Sequence, residues 1–306
     1  MDRRRPRALA AATWALALAA AWGVAPARAG TVVVLRSRPL APYDSVASGF
    51  RAGYHGAVVE RTLPDSGAES VVDELLGLRP DAVVAIGPRA ALLARDRMPR
   101  TPIVYCTVPD PQRYELEGAW ITGVSAEVPP ELELDALIRA APDVRRVGLI
   151  VGAGRRDGFV PRARAAAARA GLVLVEAPLS DAGSLAARAR EIVDRVDALW
   201  MPADATAATP ESFRFVLDLS LTRGKPLLAF AASLVRAGAL VAVCPDYVWI
   251  GARAADQVRR IQAGERAGDV PVAALRRTRL VLNLATARAL GREIPPATVA
   301  SAEVVP

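Results

Sequence analysis

After Gly30 the chain alternates short, unbroken apolar runs with longer segments whose apolar residues recur every three or four positions. The first kind suits strands buried on both faces of a parallel sheet and the second suits amphipathic helices packed on it, so the alternation is that of repeated βα units. Thr31–Leu35, Val58–Thr62, Ala82–Ile86 and Pro102–Cys106 read as four strands, with helices around Ser45–Tyr54, Glu69–Leu76 and Ala90–Arg95 between them. Ile121–Ser125 is a fifth short strand. Pro129 and Pro130 follow it, and proline is well tolerated at the start of a helix, here Leu132–Ala140. Val147–Val151, Leu172–Val175, Ala198–Met201, Pro226–Phe230 and Ala239–Val243 supply five more strands, with helices at Pro161–Ala170, Leu185–Val196 and Phe213–Thr222. Ile250, Ala254, Ala255, Val258 and Ile261 then predict an amphipathic helix stopped at Gly264. Asn283 is placed to cap a last short helix running through Leu290.

The pattern therefore predicts an α/β chain of two Rossmann-like lobes with parallel sheets, and 306 residues are enough for two ordinary cores. The formal charge of +7 changes little. Residues 1–29 carry Arg3, Arg4, Arg5, Arg7 and Arg28 against Asp2, so only +3 remains on the rest, which weakens a nucleic-acid reading. That first segment has the layout of an export signal: a basic stretch, an apolar run from Ala8 to Val24, and Ala27-Arg28-Ala29 as a cleavage site. An exported, periplasmic product cut near Ala29 is expected, without a lipid anchor, because no cysteine follows the apolar run. The cysteines are Cys106 and Cys244. An oxidising compartment would allow them to form a disulfide, and two buried free thiols are the alternative.

Four segments, in order, resemble those of the periplasmic substrate-binding proteins of ABC importers, in the branch that includes tryptophan-binding homologues. They are P-I-V-Y-C-T-V-P-D-P at Pro102–Pro111, I-T-G-V-S at Ile121–Ser125, G-A-L-V-A-V-C-P-D-Y-V-W-I-G at Gly238–Gly251, and L-V-L-N-L-A-T-A-R-A-L-G-R-E-I-P-P at Leu280–Pro296. The resemblance implies the type I two-lobed fold with a hinge of three crossings. It divides the chain into residues 30–125 with 246–268 in one lobe and 126–245 with 269–306 in the other. It further implies a small-molecule ligand, an ABC permease in the inner membrane as partner, and a monomer.

Catalysis has little to work with. His55, the lone histidine, lies at a helix end without a local serine or cysteine partner, and no zinc-protease, nucleophile-elbow or phosphate-loop motif occurs. No cofactor, metal or nucleic acid is expected, and the chain does not read as an enzyme. For binding, the informative residues are polar ones just past strand ends, which converge on a cleft between lobes. These are Ser37, Tyr43 and Asp44 after the first strand, Gly87 and Arg89 after the third, and Thr107 after the fourth. Asp204, Ser233, Asp246 and Tyr247 come from the later strands. Gly87 and Arg89 open a helix, where free N–H groups favour an anion. Where family members usually show Gly-Thr, this chain has Gly87-Pro88 followed by Arg89, which favours a more anionic ligand if Arg89 turns inward. Asp204, in a segment that resembles the family's P-x-D loop, is the candidate for a ligand ammonium, with helix capping the alternative. Asp246 could cap the helix after it, and Tyr247 could pack the hinge.

The function expected is capture of a small polar molecule, an amino acid or small carboxylate, for delivery to an ABC importer. The alternative with the same fold is a ligand-sensing partner of a membrane kinase or chemoreceptor.

Overall fold

The computed structural model describes residues 30–152, 155, 158–204 and 209–305; the expected export signal lies outside them. The chain begins with β1 (Val32–Arg36), α1 (Ala41–Gly53), β2 (Val58–Thr62), α2 (Ala68–Gly77), β3 (Ala82–Ile86), α3 (Pro88–Arg97), β4 (Ile103–Cys106) and β5 (Ile121–Val124). These five strands form one sheet in the order β2-β1-β3-β4-β5, parallel throughout. No residue of β3 exposes any surface, as an apolar run covered on both faces requires.

Next come α4 (Pro130–Ala140), β6 (Arg146–Gly152), α5 (Phe159–Arg169), β7 (Val173–Leu179), α6 (Leu185–Val193), β8 (Ala198–Trp200), α7 (Pro210–Thr222), β9 (Leu227–Ala229), α8 (Ala232–Arg236) and β10 (Val241–Pro245). The chain ends with α9 (Tyr247–Gln262), β11 (Thr278–Asn283), α10 (Leu284–Ala289), α11 (Pro296–Ala300) and β12 (Glu303–Val305). The second sheet has the order β12-β11-β10-β9-β8-β6-β7 and is parallel except where β11 runs antiparallel to β10. The ten strands expected from apolar runs are all present. The sequence reading missed α8, β11, α11 and β12. In β11, Thr278, Arg279, Leu280, Val281, Leu282 and Asn283 mix exposed and buried positions rather than forming a uniform apolar run. Asn283 does cap α10, its side-chain oxygen accepting from Thr286 N at 2.8 Å.

Two lobes follow from the two sheets, each with apolar clusters on both faces. The chain passes between them after β5, between β10 and α9, and again before β11. Although α9 follows a strand of the second sheet, it packs in the first lobe, where Ile250, Ala254, Ala255, Val258 and Ile261 join the cluster around Val46 and Phe50. The contact with α1 is a glycine seam: a Cβ on Gly49 would overlap the Val248 carbonyl, and one on Gly251 would overlap that of Val46.

Residues 269–275, expected in the second lobe, run along the first sheet instead. Ala273 N donates to Gly123 O at 2.9 Å, Ser125 N donates to Ala273 O at 2.9 Å, and Val270 and Leu275 are buried in the first-lobe cluster. Apolar side chains at these positions hold the strap on β5 and place the third passage after Leu275. Gln257 fastens it further, donating to the carbonyls of Gly123 and Pro271 at 2.8 and 3.1 Å. The second and third passages lie side by side, with Pro245 opposite Thr278 and Asp246 N donating to Arg277 O at 3.0 Å. Paired crossings of this kind bend without unfolding.

Candidate functional site

The carboxyl ends of both sheets meet at a cavity of about 350 Å³. Its first-lobe wall is Leu40, Pro42 and Tyr43 from the start of α1, Thr107, Pro109 and Asp110 from the turn after β4, and Tyr247 from α9. Glu133, Arg155, Phe159, Pro202, Ala203 and Phe230 face these from the second lobe, and Glu127 and Val128 close one side from the first passage. A wider polar mouth of about 630 Å³ adjoins it, sharing Asp110, Glu127, Arg155 and Phe159 and adding Arg113 and Arg162. A larger depression near Asp81, Pro102 and Trp120 lies at the amino ends of the first-lobe strands, away from the side where open α/β sheets place their ligands.

Of the expected binding residues the structure gathers Tyr43, Thr107 and Tyr247 on the cavity wall. Burial raises the phenol of Tyr43, with Arg38 opposing, and pushes that of Tyr247 up to about 12, so both stay neutral donors. Thr107 adopts φ 54° and Asp110 φ 50°, left-handed conformations that threonine in particular rarely takes, and such outliers concentrate at ligand clamps. Ser37 and Gly87 stand behind Tyr43. Ser37 is buried and its Oγ accepts from Ala90 N at 2.9 Å. Gly87 has φ 88°, and a Cβ there would lie 2.5 Å from the Tyr43 hydroxyl and 2.6 Å from Ser37 Oγ. Only glycine fits.

The remaining candidates point elsewhere. Arg89 donates to the Asp65 carbonyl at 3.1 Å and is not on the cavity wall, because the turn before α2 offers an acceptor on the outer side of α3. The amides of Gly87 and Ala90, which an anion would use, already serve Cys106 O and Ser37 Oγ. Those two amides are therefore not free to meet an anion. Asp44 pairs with Arg36 at 2.5 Å on the surface. Ser233 is exposed within α8. Asp246 caps α9, its Oδ1 accepting from Trp249 N at 3.0 Å. Asp204 is buried, its Oδ2 accepting from Gly152 N at 2.8 Å, while its neighbours Pro202 and Ala203 form the wall. Cys106 and Cys244 are both free and buried, so the expectation of a possible disulfide is settled in favour of thiols, which burial raises in both cases.

Sequence reasoning missed Glu133. It lies in the first turns of α4, is 3% exposed, and lines the cavity. Burial pushes its carboxyl up to about 8; the Arg155 charge and the Trp200 indole N–H oppose the shift and Glu127 adds to it. The indole nitrogen lies near the carboxyl, yet neither Trp200 Nε1 nor Glu133 Oε2 closes a hydrogen bond among the described residues. Arg155 is held beside them, donating to Ala203 O at 2.6 Å and Glu127 Oε1 at 2.9 Å, with its guanidinium 4.4 Å from the centre of the Phe159 ring. Phe159 in turn packs on Trp200 at 5.4 Å. A signal for Glu133 was present: Ala136, Leu137 and Ala140 stand three, four and seven residues on, so helical spacing puts this carboxylate in the buried stripe.

Residues 65–305 match the family model described as ABC transporter substrate binding protein. The chain belongs to that family. Its members are binding proteins rather than enzymes. A curated relative, a tyrosine-binding protein of Clostridioides difficile (strain R20291), is 23% identical over 230 residues, which is 72% of this chain and 66% of that protein's length. Among solved structures, a domain from Streptococcus pneumonia in complex with L-Trp superposes with a TM-score of 0.70 at 23% identity, covering 90% of this chain and 99% of that one. A ligand-free, open substrate-binding protein with adhesive properties from Clostridium difficile gives a TM-score of 0.75 at 20% identity, with the same two coverages. Family and fold thus agree with the two-lobed α/β architecture described above. Among the described residues no helix is long and apolar enough to cross a membrane.

Proposed function

We propose that this family member captures one small amino acid, with an aromatic or apolar side chain, between its lobes and delivers it to an ABC importer. The observation that carries the reading is the cavity itself: apolar and aromatic walls from Tyr43, Tyr247, Phe159 and Phe230, with charged groups gathered at the Glu133 and Arg155 end. A side chain that gains from apolar contact would lie along the rings, and its charged backbone would face the polar end. A relative named as a tyrosine-binding protein and a fold neighbour solved in complex with L-Trp support the same class of ligand. In this reading Tyr43, Thr107 and Tyr247 touch the ligand, whereas Ser37 and Gly87 hold Tyr43 and α3 in place. Ligand seated on one lobe makes its remaining contacts only when the other closes, which shifts the population toward the closed form. A permease would then read the outer faces of the closed lobes. Export to the periplasm, removal of residues 1–29 and action as a monomer belong to the same proposal.

Thermal-shift screening against the common amino acids tests it directly. Tyrosine, tryptophan or phenylalanine at a hundred times its dissociation constant should add about 2.7 kcal/mol of stability. A hit list made only of sugars or dicarboxylates would overturn the proposed ligand class.

A further inference from the structure

A buried carboxyl with an unpartnered oxygen, on a side chain that lines a cavity, is costly unless something arrives to use it. Glu133 meets that description from two sides. It is 3% exposed on the cavity wall, and both its Oε2 and the Trp200 indole nitrogen beside it lack partners among the described residues. Its position is fixed rather than incidental, because Leu134 and Leu137 of the same helix are fully buried in the second-lobe cluster. We propose that Glu133 is the acceptor for the ammonium group of the bound amino acid, and that it takes this role by releasing its proton as the ligand enters. The inference rests on the amino-acid reading above and adds the binding residue and its coupling to pH.

The proton balance is simple. In the empty site the carboxyl is neutral; on binding, its O–H proton leaves to water, the ligand keeps all three ammonium hydrogens, and a carboxylate–ammonium pair remains. One proton is released per ligand. An ammonium supplies the opposite charge that stabilises the ionised form, which burial alone disfavours. Other charged or titratable groups frame the same space: Tyr43 from α1, Asp110 after β4, Glu127 from the first passage, and Tyr247 from α9. Arg155 stands before α5, with Arg162 beyond it pairing with Glu127 at 2.6 Å, and Asp204 follows β8. The two tyrosines are held neutral, and Arg155 is tied to Glu127 and Ala203 O. Burial brings Glu133 into the neutral range, to about 8.

Calorimetric titration of purified protein with L-tryptophan and L-tyrosine, in buffers of different ionisation enthalpy, reads the released proton directly. Release should approach one proton per ligand near pH 6.5 and fall away above about pH 8. Over that interval affinity should rise about tenfold per pH unit. Glu133→Gln should abolish both the release and the slope and weaken L-tryptophan at least tenfold at pH 8, while leaving 3-(indol-3-yl)propanoate, which has no ammonium, at its wild-type affinity. Binding of either amino acid by wild-type protein without proton release overturns this inference alone. So does a Glu133→Gln variant that keeps the wild-type slope. Failure of every amino acid to bind at any pH overturns the functional reading and this inference together.

Discussion

The loops just past the strand ends and the first turn of α4 both bring carboxylates to the neighbourhood of the cavity, but they use them differently. Asp204 and Asp246, on the loops, accept hydrogen bonds from the backbone amides of Gly152 and Trp249. Glu133, on the helix, is just as deeply placed as Asp204 and keeps an unpartnered oxygen. A loop has free N–H groups of its own, and a short acidic side chain there satisfies them first. In the first turn of α4 the amides of Leu132 and Glu133 already donate to the Pro129 carbonyl, so the Glu133 carboxyl is not spent on them. Proximity to a strand end therefore says less about a carboxylate's spare hydrogen-bonding capacity than the element that carries it does.

The contrast can be broken most sharply at Glu133 itself. Between its ordinary value of 4.5 and about 8, folded empty protein holds a proton that the unfolded chain has lost. Stability should therefore fall as pH rises through that window, by up to about 1.4 kcal/mol per unit, and level off above it. Urea unfolding at pH 5 and pH 8 should show Glu133→Gln gaining up to about 4 kcal/mol on the wild type across the interval. Parallel curves for the two proteins would mean that the carboxyl ionises freely in the fold.

Asp204→Ala comes next. Loss of a buried acceptor leaves the Gly152 amide unsatisfied and should cost about 2–3 kcal/mol in the same unfolding assay. Amino-acid affinity of the folded fraction should stay within about threefold, and a much larger drop would return Asp204 to the ligand. Asp246→Ala removes a helix cap and should cost about 1 kcal/mol, with Asp246→Asn recovering most of it. Arg89→Ala is the smallest: a change within about 0.5 kcal/mol in stability, and unchanged calorimetric affinity, because its guanidinium serves the Asp65 carbonyl.

Much of the fold was legible because parallel sheets write themselves as unbroken apolar runs, and Ala82–Ile86 or Ala239–Val243 could hardly be read otherwise. β11 was not, since a strand pairing antiparallel near a sheet edge mixes its pattern and Thr278 and Arg279 look like linker. The strap at residues 269–275 was assigned to the wrong side because its anchoring depends on Gln257 and on the β5 backbone, which no local spacing announces. At the site, the strand-end rule pointed to the ends of the sheets, and of its candidates Tyr43, Thr107 and Tyr247 lie on the cavity wall. It could not tell which polar groups would be consumed locally, as happened to Ser37 and Asp246. It also passed over Glu133, whose helical spacing was visible but whose neighbours Trp200 and Arg155 come from distant parts of the chain.

The backbone contact of Gly49 with Val248, and of Gly251 with Val46, has a bearing on how this receptor can change its taste. Tyr43 rides on one of the fused helices and Tyr247 on the other, so the two phenols travel as a single plate. On the proposed reading, new ligands are accommodated by exchanging side chains on that plate or by reshaping the opposite wall. Sliding the plate's own halves apart is closed to evolution for as long as the glycines remain.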